Sequence, residues 1–170
     1  EIAELANEEL REKDSVLIVV NTKKSAYSLY QAIIQESNIT PYHLSTNMCP
    51  AHRLDMLIEI KKKLENKEPV ICVSTQLIEA GVDIDFGAVI RYLAGMDSIA
   101  QAAGRCNRNG VREGLCNVWF VNPIEESLDK LKDIKIGREK AERILDVFKE
   151  LPESFENDKI GLKAMQTYYQ

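Results

Sequence analysis

Two segments of the sequence combine residue types that could bind a phosphorylated ligand. In the first, Ser74 and Thr75 follow an apolar run that predicts a parallel strand, and open α/β sheets bind ligands at the carboxyl ends of such strands. Their hydroxyls could hold phosphate oxygens, while Gly81 allows a sharp turn and Asp83 offers a carboxylate to a ribose hydroxyl. A strand, a turn and two solvated acids, Asp83 and Asp85, explain the same residues equally well, and this D-x-D pair alone does not indicate a metal.

The second segment carries two arginines at helical spacing. On a helix predicted over residues 97–110, Gln101, Arg105 and Arg108 are four and then three residues apart, so their side chains would share one face. Neighbouring guanidinium groups repel each other unless an anion lies between them, and a nucleotide phosphate is one such anion. An arginine placed there can stabilise the charge on a transferred phosphoryl group, as an arginine finger does. The alternative is that these arginines pair with acidic residues on the protein's own surface.

Two kinds of apolar pattern alternate along the chain and predict the elements that position these segments. Short β-branched runs alternate with amphipathic stretches, which is typical of an α/β fold with a mostly parallel sheet covered by helices. Strands are predicted at residues 16–20, 42–44, 70–73, 88–93 and 115–121. Helices are predicted at residues 2–13, 25–36, from 50 to a charged stop at 66–69, and at 76–81, 97–110, 124–134, 138–151 and 158–169.

Finer features of the pattern predict caps, core and domain limits. Asp97 is expected to cap the helix that carries the arginines, and Trp119 is expected in the core because it lies within an apolar strand. Beyond Pro123 the chain becomes highly charged and helical. Residues 1–122 are therefore predicted to form one domain and residues 123–170 a helical extension.

Composition excludes several classes of protein. The 170 residues carry 22 basic and 27 acidic side chains, a net charge of −5, so any nucleic-acid contact must be local rather than a broad basic face. The longest apolar run, residues 16–20, is far shorter than the roughly 20 residues of a membrane span, so no membrane contact is expected. The four cysteines form no C-x-x-C pair, which favours free thiols in a reducing cytosol and no metal site. Because the sequence starts at Glu1 rather than Met, we expect it to be a piece of a longer protein.

The order of these motifs resembles that of a known enzyme superfamily. Two motifs of superfamily 2 helicases, V and VI, resemble two segments of this chain in the same order. The first segment is a strand followed by Ser-Thr and Glu-Ala-Gly-Val-Asp-Ile-Asp, and the second is a strand followed by Gln-x-x-Gly-Arg-x-x-Arg-x-Gly. Residues 44–53, Leu-Ser-Thr-Asn-Met-Cys-Pro-Ala-His-Arg, together with Asn107, look like the CRISPR-associated helicase-nuclease of type I systems. The resemblance covers residues 16–121 and implies the second RecA-like domain of such a helicase, with the P-loop NTPase type of sheet.

The resemblance also implies roles for individual residues. Arg105 and Arg108 would reach the phosphates of ATP, with Arg108 as the finger and Gln101 supporting the same cleft. Asp83, with Gly81 beside it, would face the nucleotide sugar. Loops that match motif IV and its neighbours would touch the phosphate backbone of single-stranded DNA through Asn21, Thr22, Ser45, Thr46, Ser74 and Thr75. Such contacts carry no sequence information.

The missing motifs indicate what other parts would have to supply. The sequence contains no G-x-x-x-x-G-K-[ST] phosphate loop and no Asp-Glu pair after a buried strand, so the ligands of Mg²⁺ are expected outside it. The chain alone should not hydrolyse ATP. The resemblance implies a first RecA-like domain and an HD nuclease domain as partners, recruitment by an RNA-guided surveillance complex, and a prokaryotic cytoplasmic location.

A second interpretation stays open. The chain could be a RecA-like docking module without ATP turnover, with the charged segment from Glu125 onward as its interface. Retention of both Arg105 and Arg108 beside Asp83 favours the motor.

Overall fold

The computed structural model describes residues 1–78, 83–110, 112 and 114–170. Within these residues, parallel strands form one five-stranded sheet in the order β2-β3-β1-β4-β5. The strands are β1 (Ser15–Val19), β2 (Tyr42–Leu44), β3 (Val70–Ser74), β4 (Ala88–Tyr92) and β5 (Asn117–Val121). The α-helices are α1 (Ile2–Lys13), α2 (Lys23–Glu36), α3 (Pro50–Glu65), α4 (Met96–Ala103), α5 (Lys132–Glu150) and α6 (Leu162–Tyr169), and 3₁₀ helices span Gln76–Ile78 and Pro152–Phe155.

Helices cover both faces of the sheet, which explains why its central strands are buried along their whole length. In β1, Val16 and Ile18 pack towards α1 and α2, whereas Leu17 and Val19 pack towards α3. All residues of β1, β3 and β4 are buried. Continuous burial is typical of parallel strands covered on both faces. The predicted α/β fold with a parallel sheet is confirmed.

Local capping explains where two of the helices begin. The Thr22 hydroxyl accepts a hydrogen bond of 2.9 Å from the Ser25 amide at the start of α2. Pro50 occupies the first turn of α3, where a missing amide proton has no cost, and the Cys49 thiol accepts a 3.5 Å hydrogen bond from the His52 amide. The predicted starts of these helices agree with the structure to within two residues.

The helix before the two arginines is shorter than predicted. It begins after Gly95, so Asp97 lies in its first turn rather than at its cap, and it ends at Ala103 rather than near residue 110. The chain leaves the helix because the backbone of residues 105–107 pairs with Phe86 instead, through Phe86 N to Arg105 O at 2.9 Å and Asn107 N to Phe86 O at 3.0 Å.

The structure also corrects the prediction for the last third of the chain. Residues 124–131 form turns rather than a helix, because Glu126 is buried and its carboxylate accepts hydrogen bonds from Asn21 at the sheet. A single helix, α5, then covers the predicted 138–151 helix and begins at Lys132, and α6 begins at Leu162 rather than residue 158. The extension packs on α4 through an apolar cluster. The division of the chain at residue 122 stays a prediction.

Trp119 is not in the core as predicted. It lies on β5, the edge strand of the sheet, where it is 42% exposed. Its indole Nε1 donates a 2.7 Å hydrogen bond to Oε1 of Glu9, so the polar end of the ring is satisfied beside α1.

Among the described residues, no helix is both long and apolar enough to cross a bilayer.

Candidate functional site

The two arginines lie in a turn that is held against the segment before β4. Beyond the Phe86 bridge, the carboxylate of Asp85 accepts hydrogen bonds from two successive amides, from Arg108 N to Oδ1 at 2.9 Å and from Asn109 N to Oδ2 at 3.1 Å. Because Phe86 lies two residues before β4, this turn lies at the edge of the sheet where the strands begin. We call Asp83, Asp85, Arg105 and Arg108 the amino-edge cluster.

Within the amino-edge cluster, one arginine is exposed and the other is buried. The Arg108 guanidinium, 43% exposed, lies 3.5 Å from Oδ1 of Asp83, which is 68% exposed. Arg105 is only 8% exposed. The Arg108–Asp83 contact is a pairing with an acidic residue of the protein's own surface, which is the alternative that the sequence left open for the arginines. An exposed ion pair of this kind contributes only about 0–1 kcal/mol, so a ligand can replace one of its partners.

The shared-face argument from the sequence is wrong in its geometry. Gln101 is on the exposed side of α4, and the helix ends before Arg105, so no continuous helical face joins Gln101 to Arg108. The arginines reach the same region as Asp83 through the backbone pairing with Phe86 and Asp85. Gly81 lies outside the described residues.

Two further residues shape this turn, and sequence reasoning gave them no such role. Asn107 adopts a left-handed conformation with φ of 48°, and its amide group exchanges hydrogen bonds of 3.1 and 3.0 Å with the Arg112 backbone. The Arg112 guanidinium in turn donates to Lys13 O and to the Ser15 hydroxyl, each at 3.0 Å. The turn is therefore tied to the start of β1. The signal available in the sequence was Asn107 itself, because Asn tolerates left-handed backbone better than most residues.

A cleft of about 700 Å³ borders the amino-edge cluster. Asp83, Asp85 and Asn109 form one wall, and the end of α3 with the turn after it forms the other. Its remaining lining residues are Asp14, Lys61, Leu64, Glu65, Lys67, Ile84 and Arg112. Of the amino-edge cluster, the two acids line this cleft and the two arginines do not. The exposed Asp83 carboxylate and the exposed Arg108 guanidinium together have the chemistry to hold a ligand with both hydroxyl and phosphate groups.

The other predicted site residues gather at the opposite edge of the sheet, where the strands end. Ser74 pairs with both Leu44 and Val19 across the sheet, and Thr75 N donates a 3.3 Å hydrogen bond to Leu44 O. The residues after β1, β2 and β3 are therefore neighbours. We call this set the carboxyl edge: Asn21, Thr22, Ser45, Thr46, Ser74 and Thr75.

The polar groups of the carboxyl edge differ in how they are satisfied. Ser74, fully buried, donates its hydroxyl to Thr75 O at 2.8 Å, and Thr22 caps α2. Ser45 is buried and Thr46 is exposed. The Thr75 hydroxyl is buried and has no hydrogen-bond partner among the described residues. A buried hydroxyl without a partner costs about 1–3 kcal/mol, which makes Thr75 a candidate for contact with a ligand.

Asn21 is held in a buried polar network. Its Nδ2 donates to Glu126 Oε2 at 2.8 Å and to Leu93 O at 2.9 Å, while its Oδ1 accepts from Arg91 Nη1 at 2.7 Å. Its backbone amide donates to the same carboxylate at 3.2 Å. Arg91 and Glu126 were not singled out from the sequence. The observation leaves the predicted nucleic-acid contact of Asn21 untested, since its side chain serves the network in the free chain.

The cysteines are not arranged for chemistry. Burial raises the pKa of Cys106, which stands between the two arginines, to about 12, and it raises that of Cys72 to about 12 as well. Both thiols stay protonated at neutral pH and are poor nucleophiles and metal ligands. Over the described ranges, no group of three or more His, Cys, Asp or Glu residues could hold a metal ion.

The chain matches one protein family over most of this region. The model for the C-terminal part of the CRISPR-associated nuclease/helicase Cas3 matches residues 12–111, more than half of the chain. The chain therefore belongs to the Cas3-like C-terminal family. The match includes β1 to α4 and both the amino-edge cluster and the carboxyl edge.

Individual relatives agree with the family. The Cas3 proteins of Haloferax volcanii and Methanothermobacter thermautotrophicus are 48% identical over 77 residues and 35% identical over 95 residues, which covers 42% and 56% of this chain. The chain spans only 8% and 11% of their lengths. The T. fusca Cas3-ATP crystal structure matches with a TM-score of 0.65 and 18% identity over 84% of this chain and 19% of that one. This last likeness concerns the fold.

Proposed function

We propose that this Cas3-like chain is the second motor domain of an ATP-dependent helicase that translocates on single-stranded DNA in CRISPR antiviral defence. One observation carries the proposal: the exposed Arg108 guanidinium lies 3.5 Å from the exposed Asp83 carboxylate, on a turn whose backbone is fixed by hydrogen bonds. The two groups have the chemistry to hold a nucleotide's phosphate and ribose, and Asp83 lines an open cleft.

The proposed nucleotide role follows from an exchange of partners. In this proposal ATP and the ligands of Mg²⁺ lie at the interface with a first RecA-like domain. The negatively charged phosphates of ATP approach Arg108 there. Arg108 leaves Asp83 for the phosphate, because charge-assisted bonds to phosphate are stronger than an exposed ion pair. Asp83 then accepts from the ribose hydroxyl. In this proposal Arg105 and Gln101 assist the phosphate contact of Arg108.

The proposed strand contacts lie at the carboxyl edge. The buried Thr75 hydroxyl has no hydrogen-bond partner among the described residues, and in this proposal it becomes accessible to a phosphate oxygen when the strand binds. Thr46 and Thr22 lie in neighbouring loops. Lys23, which donates to Asn47 between these loops, adds a positive charge. A few such contacts let a chain with net charge −5 hold a single strand without reading its sequence. An HD nuclease domain and an RNA-guided surveillance complex complete the proposed assembly.

The test is ATP turnover by the full-length natural protein with and without single-stranded DNA, in wild type, Arg108→Ala and Arg143→Ala. Arg143 is the matched control because it is an exposed arginine on α5, away from the cleft. Loss of an arginine finger costs about 10³-fold or more in turnover. We expect that loss in Arg108→Ala and wild-type turnover in Arg143→Ala.

The outcome also decides between motor and docking module. If the folded wild-type protein shows no DNA-stimulated turnover with magnesium present, the motor proposal is wrong and the docking module takes its place. If Arg108→Ala retains full turnover in an active enzyme, the finger assignment is wrong.

A further inference from the structure

We propose that Asp85 is a positioning residue for Arg108, fixing the backbone from which the guanidinium projects. This inference rests on the proposed function, because it concerns how the finger is aimed. It assigns a role to the second acid of the D-x-D pair that neither metal binding nor nucleotide contact requires.

The geometry of the carboxylate supports this role. Each of its two oxygens accepts one amide, from Arg108 at 2.9 Å and from Asn109 at 3.1 Å. These amides lie beyond the last turn of α4, where helical carbonyls no longer continue the ladder. A carboxylate that accepts two adjacent amides fixes both peptide planes, as an acid does at a helix N-cap.

The backbone next to Asp85 is itself fixed to the sheet and to the turn that carries Arg108. Phe86, the next residue, is fully buried and pairs with Arg105 O and with Asn107 N. Asp85 is therefore anchored to the sheet through its own neighbour, and Arg108 is only two residues from that bridge. Small shifts of the Asp85 side chain must move the Arg108 Cα.

The two acids of the pair contact the same arginine in different ways. Asp83 contacts the guanidinium, which is exposed and exchangeable, whereas Asp85 contacts the backbone. Substitutions should separate these roles. Loss of Asp83 should affect nucleotide binding, and loss of Asp85 should affect how well the bound finger is aligned.

Asp85→Asn replaces one acceptor oxygen by an amide that cannot accept from a backbone N–H. A misplacement of about 1 Å can cost about 10²-fold in rate, so we expect kcat for ATP to fall by about that factor while KM changes little. Asp83→Asn should instead raise KM. Asp85→Glu keeps both acceptors on a longer side chain, so its kcat should lie between those of wild type and Asp85→Asn.

The decisive experiment is a double-mutant cycle in the full-length protein with single-stranded DNA at saturation. If Asp85 acts through Arg108, adding Asp85→Asn to Arg108→Ala should not lower kcat further. A further loss in the double variant, equal to that in Asp85→Asn alone, would overturn the inference in favour of a general structural role. So would wild-type kcat in Asp85→Asn, or a kcat for Asp85→Glu no higher than that of Asp85→Asn.

This design separates the inference from the proposed function. Wild-type turnover in Arg108→Ala contradicts the finger itself, whatever Asp85 does. An impaired Arg108→Ala beside an unimpaired Asp85→Asn contradicts only the positioning role. Thermal unfolding of each variant shows whether a lost rate reflects lost fold.

Discussion

The amino-edge cluster and the carboxyl edge use polar residues in opposite ways. At the amino edge, Arg108 and Asp83 face solvent and their turn is held by backbone hydrogen bonds. At the carboxyl edge, Asn21, Ser74 and Thr75 are buried, and most of their polar groups are bonded internally. An exposed ion pair exchanges partners at little cost, whereas a buried network preserves the shape of a surface. The amino edge is therefore suited to a ligand that exchanges, and the carboxyl edge is suited to a contact surface of fixed shape.

The largest effect on stability is expected at the buried network. Glu126→Ala removes the acceptor of the Asn21 backbone amide and one of the two acceptors of Asn21 Nδ2, which should lower the free energy of unfolding by about 3 kcal/mol. Its exposed neighbour Glu125 is the matched control, and Glu125→Ala should change stability by less than about 0.5 kcal/mol. Denaturant unfolding of this chain measures both. Equal effects would mean that the network does not hold the carboxyl edge.

A smaller effect of opposite sign is expected at Thr75. Thr75→Val removes a buried hydroxyl that has no partner in the part of the chain described, so it should raise the free energy of unfolding by about 1 kcal/mol. Thr46→Val, at an exposed position of the same edge, should leave stability nearly unchanged. A destabilised Thr75→Val protein would show that this hydroxyl serves the fold rather than a ligand.

The smallest effect concerns pH and the strand that leads into the carboxyl edge. Burial lowers the pKa of His43 on β2, because the charged imidazolium is disfavoured there. Below the ordinary histidine pKa of about 6.5 the unfolded chain binds more protons than the folded one, so stability falls as pH falls through that value. His43→Gln should flatten this dependence relative to the wild-type chain. Urea unfolding between neutral and mildly acidic pH checks it, and a wild-type pH profile in His43→Gln would contradict it.

The sequence predicted most of the sheet because the burial pattern of parallel strands is local. β1, β3 and the start of α3 follow directly from apolar runs and a proline, and such signals need no knowledge of the rest of the chain. The family resemblance, carried by the order of the motif V-like and motif VI-like segments and by residues 44–53 with Asn107, is confirmed by the match over residues 12–111.

The failures arose where long-range contacts override local preference. Residues 104–110 look helical, but pairing with Phe86 and Asp85, about twenty residues earlier in the chain, ends α4 at Ala103. Glu126 lies in a segment predicted to be helical, yet it is buried against Asn21, more than a hundred residues away in sequence. The spacing of apolar residues reports local burial only, so it does not reveal these long-range contacts. The roles of the individual site residues remain predictions.

The central claim is that the two edges do separate work, and one paired measurement tests it directly. ATP turnover and the dissociation constant for single-stranded DNA are measured in the full-length protein for Arg108→Ala and Thr75→Val. We predict that Arg108→Ala loses about 10³-fold or more in turnover with its DNA affinity retained. Thr75→Val should raise the dissociation constant for DNA by about 2- to 10-fold, because it removes one hydrogen bond, and turnover should be retained at saturating DNA. If both variants lose turnover and DNA affinity in the same proportion, the separation of the two edges is wrong.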